Sequence, residues 1–349
     1  MPTVLDSLNT ALRQALTQDE RVLILGEDLL DPYGGAFKVT RGLSDAFPGR
    51  VLTTPISEAG FTGLAIGMAL RGLRPVVEIM FGDFLTLAAD QIINHAAKFR
   101  WMYNGNKSET ERVSLPLVIR TPMGGRRGYG PTHSQTLEKH FLGTPGLVVL
   151  APCALGDPGQ LLLDAILFTN DPLLFVENKL LYLAQVQDIT QSDDFEFRIH
   201  NDRTDAEPGF AAPTYLCQVR GAPPPTLTLT AYGYMAELAQ QAQRRLAYEH
   251  EMFVELVVPT GLSPCRMHPL LASLERTGRL LAVEEGTRNL GWGAEILARS
   301  AEALGARLKR AQRLAAHDLP IPASGPLEAH VLPSVENIIQ CCLEMTQSD

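Results

Sequence analysis

The chain has no stretch of 18 uninterrupted apolar residues, so nothing in it reads as a membrane-spanning helix. Its opening segment, MPTVLDSLNTALRQAL, lacks the basic stretch, apolar run and small-residue cleavage site of a secretory leader. Only five cysteines occur, Cys153, Cys217, Cys265, Cys341 and Cys342, and no two form a CxxC pair. That sets aside a disulfide framework and a zinc site, and no metal ligand set is assigned. A soluble protein of the reducing cytoplasm is expected, with no membrane partner. Basic residues are the minority, 30 Lys plus Arg against 39 Asp plus Glu for a formal charge of -9, the wrong sign for neutralising phosphate backbones. No nucleic-acid partner is expected.

Cofactor fingerprints are missing as well. There is no GxGxxG after the first apolar run, no GxxxxGK[ST], no GxSxG and no HExxH, which removes the nicotinamide, P-loop, serine-hydrolase and zincin readings. The glycines of Gly63-Leu64-Ala65-Ile66-Gly67 lie on an apolar helical pattern and read as a close helix–sheet contact.

What remains is a globular balance, 45% hydrophobic and 20% charged over 349 residues, enough for two cores. Short apolar runs alternate with longer helical spacings, the signature of parallel α/β layers. Strands are expected at Val22–Leu25, Pro75–Met80, Leu117–Arg120, Leu147–Leu150 and Leu173–Val176, with helices at 59–70, 86–102 and 158–168. These form a doubly wound domain over 1–185. Residues 186–225, polar, acidic and closed by Gly221-Ala222-Pro223-Pro224-Pro225, read as a connector. A second α/β domain follows over 226–349, with strands at 226–231, 252–258 and 279–284, helices at 234–248, 267–276 and 293–304, and a helical tail after Pro333. Doubly wound folds host many activities, so motifs must carry the function.

Three segments of the first domain speak: LGEDLLDPYGGAFKVTRGL from Leu25, TPISEAGFTGLAIGMALRGLRPVVEI from Thr54 and GDFLTLAADQIINHAAKFRWMYNG from Gly82. With Arg120-Thr121-Pro122, the loop Gly128-Tyr129-Gly130-Pro131-Thr132-His133-Ser134-Gln135, the phrase Gly291-Trp292-Gly293-Ala294-Glu295-Ile296 and Leu319-Pro320-Ile321-Pro322, most of the chain resembles the beta subunits of pyruvate and branched-chain 2-oxo acid dehydrogenases. The resemblance implies a thiamine-diphosphate pyrimidine-binding domain followed by a transketolase C-terminal-like domain.

It also implies site residues. Glu58 matches the glutamate that contacts a nitrogen of the aminopyrimidine, where a shared proton favours the imino form that activates the cofactor. Ile56, Phe61 and Met80 are apolar neighbours that would desolvate such a carboxyl, with Ile56 and Met80 counted among the cofactor contacts. The bland alternative is an acidic residue in the first turn of a helix, suited to its dipole. Phe84, just past an apolar strand, falls where the family sets an aromatic ring against the pyrimidine; a core aromatic is the alternative. His133, in a Gly- and Pro-rich loop suited to a mobile, exposed side chain, matches an active-site histidine near the 2-oxo carboxylate and the lipoyl arm, against a solvated loop histidine. His140 has no matching role. Arg126 and Arg127 would meet an acidic partner, a substrate carboxylate or water.

No Gly-Asp-Gly occurs, the segment with which thiamine enzymes begin their magnesium and diphosphate site. The resemblance therefore assigns magnesium and diphosphate to a separate alpha subunit, in a heterotetramer built on a beta dimer, with a lipoyl-bearing acyltransferase as acceptor. The turn Leu167-Phe168-Thr169-Asn170-Asp171 departs from the one with which some relatives hold potassium by carbonyls near Ala165 and Ile166, and the stretch Val257–Cys265 lacks the family's Arg and Asp. The rival functions are an acetoin-cleaving or split transketolase-like subunit, and a noncatalytic scaffold that retains the fold.

Overall fold

The computed structural model describes residues 1–104, 113–201 and 212–346. The first half runs α1 (Val4–Gln18), β1 (Val22–Gly26), α2 (Leu43–Ala46), β2 (Val51–Thr53), α3 (Glu58–Leu70), β3 (Arg74–Glu78), α4 (Leu85–Asp90), a π-helical turn (Gln91–Ala96) leading into α5 (Ala97–Asn104), β4 (Val118–Met123), β5 (Val148–Leu150), α6 (Pro158–Phe168) and β6 (Leu173–Asn178). The second runs β7 (Phe195–His200), β8 (Thr214–Val219), β9 (Leu227–Ala231), α7 (Tyr234–His250), β10 (Val254–Pro259), β11 (Gly261–Ser263), α8 (His268–Thr277), β12 (Arg279–Thr287), α9 (Trp292–Leu304), β13 (Arg310–Ala316), α10 (Gly325–Val331) and α11 (Val335–Thr346).

Two sheets result, ordered β11-β5-β6-β4-β3-β1-β2 and β13-β12-β9-β10-β8-β7. Strands β2, β1, β3, β4, β6 and β5 are all parallel. Covered by helices on both faces, β3, β4 and β6 carry near-continuous apolar or buried runs instead of alternation. Helix α1 opens with a capping box, Asp6 N donating to Thr3 Oγ1 at 3.2 Å and Thr3 N to Asp6 Oδ2 at 3.1 Å. It buries Val4, Leu8, Leu12 and Leu16 at helical spacing against α6. On the other face of the sheet Phe61, Ile79, Ile92 and Phe141 form a core that runs on into Tyr232, Leu262 and Trp292 of the second domain. The two halves thus share one apolar interior.

Three sequence expectations are corrected. Residues 186–225 are not only a connector: β7 and β8 form an antiparallel hairpin that β8 joins to β10. In FEFRIH the apolar residues Phe195, Phe197 and Ile199 alternate with polar ones, a half-exposed edge strand concealed by the acidic residues around it. Part of that stretch, 202–211, lies outside the described residues. Strand β11 leaves the second half to pair antiparallel with β5 at the edge of the first sheet, so the domains exchange a strand as well as a core. Finally, Gly63 faces the π-helical turn, where an added Cβ would meet Gln91 Oε1 at 3.1 Å, and Gly67 has nothing within 4 Å; neither is a helix–sheet contact.

Candidate active site

The chain passes from β1 outward to β2 and then back across to β3 on the other side of β1, so the crevice between β1 and β3 is a topological switch point. Just past the carboxyl ends of β2, β1, β3, β4 and β6 stand, in that spatial order, Glu58, Glu27, Phe84, His133 and Lys179. Residues scattered over 150 positions of sequence are therefore lined along one sheet edge by topology alone.

Glu58 is the first residue of α3 and only 5% exposed, and it makes no hydrogen bond or ion pair among the described residues. Glu27, on the adjacent strand end, is also buried, with an unpartnered Oε1. Burial pushes the Glu27 carboxyl up, and the nearby charges of Glu58 and Asp28 push it further. The Glu27 oxygen thus has room for a donor arriving from outside the chain. Phe61 is buried as expected, and Met80 is half-buried at the end of β3. Ile56 is not a shield within this chain: it lies in the loop ahead of the helix and is 84% exposed.

Phe84 closes a 3-10 turn, Gly82–Phe84, that glycine makes possible, because a Cβ at Gly82 would lie 2.2 Å from Met123 Cγ. Its half-buried ring meets the His133 imidazole edge-to-face, centroids 5.3 Å apart, while Phe81 meets the same imidazole at 4.9 Å. Phe37 and Tyr129 extend this cluster from Phe81. His133 Nδ1 and Thr132 Oγ1 are 2.9 Å apart. Asp83 fastens the end of the loop, its Oδ1 accepting from Gln135 N at 3.2 Å and Gln135 Nε2 at 2.9 Å, and its Oδ2 is buried without a partner.

The His133 loop is not mobile by construction. It is gripped by two carboxylates of the second domain. Glu285, on β12, accepts from Gly125 N at 2.7 Å and Asn178 Nδ2 at 3.0 Å; Glu328, on α10, accepts from Arg126 N at 2.7 Å and Gly128 N at 3.1 Å. The positive φ of Gly124, Arg126 and Gly128 turns these amides inward. Arg126 donates to the Pro333 carbonyl and lies 5.7 Å from the Tyr234 ring, while its NH1, 3.7 Å from Glu285 Oε1, is buried without a hydrogen-bond partner. Arg127 lies over Tyr129, and His140 is on the surface. Underneath, Arg120 donates to both oxygens of Glu177, at 2.9 and 2.7 Å, and to Glu78. Burial alone would push that guanidinium down, but Glu177 and Glu78 more than offset it and hold its proton.

Sequence reasoning brought Phe84 and His133 to one place and Glu58 to the same edge. It missed Glu27, Lys179, Glu285 and Glu328. Glu27 and Lys179 had a signal, a charged residue directly after a buried apolar strand; Leu327-Glu328 belongs to a phrase that carries the resemblance but no role was read for it, and Glu285 had no signal. A lone buried carboxylate with open hydrogen-bonding capacity and a half-exposed aromatic ring fit an aminopyrimidine. Among the described residues no group of three or more His, Cys, Asp or Glu is placed to hold a metal. Near the expected potassium carbonyls, Ile166 O already accepts from Arg74 Nε at 2.7 Å and Thr169 O from Arg74 NH2 at 2.6 Å.

The family model of the transketolase pyrimidine-binding domain matches residues 1–185, and that of the transketolase C-terminal domain matches residues 219–338. The chain is 36% identical over 343 residues to the pyruvate dehydrogenase E1 component subunit beta-2, mitochondrial, of Oryza sativa subsp. japonica, covering 97% of this chain and 84% of that one. It is 33% identical over 341 residues to the 3-methyl-2-oxobutanoate dehydrogenase subunit beta of Mycobacterium tuberculosis, covering 97% and 90%. A solved structure described as a split gene transketolase, inactive beta4 tetramer, superposes with a TM-score of 0.71 at 18% identity, over 99% of each chain, and shares the fold.

Proposed function

This chain belongs to the transketolase-like family of 2-oxo acid dehydrogenase E1 beta subunits, and from that premise we propose that it forms, with an alpha-type subunit, a component that decarboxylates a 2-oxo acid oxidatively and passes the acyl group to a lipoyl carrier. The observation that carries this reading is Glu58, buried without a partner at the switch-point edge beside Glu27. Thiamine diphosphate, when bound, supplies the nucleophilic carbon for that chemistry. The chain's own contribution is to position a carboxyl: Glu58 would meet a pyrimidine nitrogen, and Phe84 offers its ring as a wall. His133, wedged between Phe81 and Phe84, presents a polar ring where substrate and the lipoyl arm would enter.

The exposed side of α3 supports an alpha partner. Ile56, just ahead of α3, and Leu64 (58% exposed) and Gly67 on it are exposed, as are Leu87 and Trp101 (76% exposed) on the helices that follow. A subunit seated there would cover both this face and Glu58, and would bring magnesium and diphosphate ligands. Self-association as a beta dimer through the second domain completes the heterotetramer. A reducing, cytoplasmic setting is supported by five free cysteines, and no helix among the described residues is long and apolar enough to cross a membrane.

Reconstitution tests the proposal. The chain mixed with a cognate alpha subunit, magnesium and thiamine diphosphate should acylate a lipoyl domain from a 2-oxo acid. Turnover that is independent of lipoyl protein would point instead to an acetoin-cleaving or transketolase-like reaction, and a complex that assembles without turnover would point to a scaffold.

A further inference from the structure

We propose that Lys179 is a positioning residue for His133, its side chain tying down the backbone of the histidine so that the imidazole stays wedged between Phe81 and Phe84; the catalytic consequence rests on the reading of His133 given above. Lys179 follows β6 directly, and its N donates to Met123 O at 3.0 Å, which places the side chain under the loop that leaves β4. The residue is fully buried. Nζ donates to the His133 carbonyl and lies 5.1 Å from the centroid of Phe81 and 5.5 Å from that of Tyr129. Lys179 thus holds the carbonyl of one residue and the aromatic neighbour of that residue's ring with the same ammonium.

No carboxylate forms an ion pair with Lys179 among the described residues; the charged groups that face it are Asp83, Glu285, Glu328 and Arg127. An apolar side chain of similar volume would fill this space without the desolvation cost of a buried ammonium. The position therefore uses the charge. Burial lowers the Lys179 ammonium to about 8, with the acidic neighbours pulling it back up. The cationic form, and with it the strong bond to the His133 carbonyl, is present below that value and is lost as pH rises through it. Arginine at this position would stay charged throughout.

The test compares Lys179→Met, Lys179→Arg, His133→Ala and the Lys179→Met/His133→Ala double variant in the complex reconstituted with the alpha subunit. Lys179→Met should lower kcat about tenfold or more with a smaller change in KM, because it misplaces a group instead of removing binding. Lys179→Arg should restore most of the rate and flatten the alkaline fall centred near pH 8. The double variant should be no slower than His133→Ala alone, since Lys179 acts through His133. Wild-type turnover in Lys179→Met, or losses that multiply in the double variant, would overturn the proposal. Hydrogen exchange on the full chain without its partner keeps the two readings apart. The segment Gly124–Gln135 should lose protection in Lys179→Met and keep it in Lys179→Arg, and unchanged protection in Lys179→Met overturns the positioning role. If His133→Ala turns over like the wild type while the exchange result holds, the role assigned to His133 fails and the tether stands.

Discussion

The two ends of the site edge are built on opposite plans. At the His133 end every strut comes from this chain: Asp83 and Lys179 from the first domain, Glu285 and Glu328 from the second, all converging on the loop between β4 and β5. At the Glu58 end the carboxylate makes no hydrogen bond or ion pair among the described residues, its neighbour Glu27 carries an orphan oxygen, and Ile56 faces outward. The ends differ in bracing and not in orphan atoms, since Asp83 Oδ2, Ser134 Oγ and Arg126 NH1 at the His133 end are also buried without hydrogen-bond partners; the proposed alpha subunit would meet the unbraced Glu58 end. The difference also separates two kinds of residue. On the proposed reading the carboxylates at the Glu58 end serve chemistry, whereas those at the His133 end accept from backbone amides and serve position.

That division predicts opposite responses to mutation. The largest effect on turnover is expected for Glu58→Gln, which keeps size and hydrogen-bonding capacity but cannot share a titratable proton: kcat in the reconstituted complex should fall by about 100-fold or more. The isolated chain should melt at the same temperature as the wild type or slightly higher, since one of two adjacent buried carboxylates is neutralised. Kinetics and thermal melts on the same samples check both, and a wild-type rate would return Glu58 to the role of a helix-terminus charge.

Glu328→Ala should show the reverse pattern. It strips acceptors from Arg126 N and Gly128 N, and an unsatisfied buried amide costs about 1–3 kcal/mol. Denaturant midpoints should drop clearly, while turnover at a temperature where the protein is folded falls about tenfold or less, by loosening the loop. An unchanged midpoint would mean that the clamp contributes nothing to the fold.

How far these roles were legible depended on distance along the chain. Glu58, Phe84 and His133 each sit inside a contiguous phrase with its own local logic, so the sequence offered them as candidates. Parallel strands such as LLFVEN and RPVVE announced themselves by unbroken apolar or buried runs. The clamp could not be read, because Glu328 lies about 200 residues from the amides that it accepts from, with separations of 202 and 200. The phrase Leu327-Glu328 resembles the family, but nothing in it says which amides the carboxylate accepts from. The hairpin β7–β8 failed for a different reason: an edge strand alternates with polar residues, and acidic neighbours made the alternation look like a linker. Ile56 was expected to shield Glu58 because it is apolar and adjacent; the chain turns it outward, where only a partner can cover it.

The smallest effect belongs to a buried charge that touches neither end. Glu284, on β12, accepts from Gly293 N at 3.0 Å, and burial raises its carboxyl to about 7. A carboxyl whose folded value lies above its unfolded value of about 4.5 contributes stability below that pH and loses it as pH rises through about 7. Glu284→Gln should therefore flatten the decline in melting temperature between pH 5 and 8, by roughly 1–3 kcal/mol of differential stability, without changing the pH profile of turnover.

The divided site itself is tested most directly by calorimetric titration of thiamine diphosphate with magnesium into the isolated chain, and then into the chain saturated with its alpha partner. The open Glu58 end and the absence of a metal-holding cluster among the described residues predict weak or no binding to the chain alone and tight, magnesium-dependent binding to the complex. Tight, magnesium-dependent binding to the isolated chain would contradict the account.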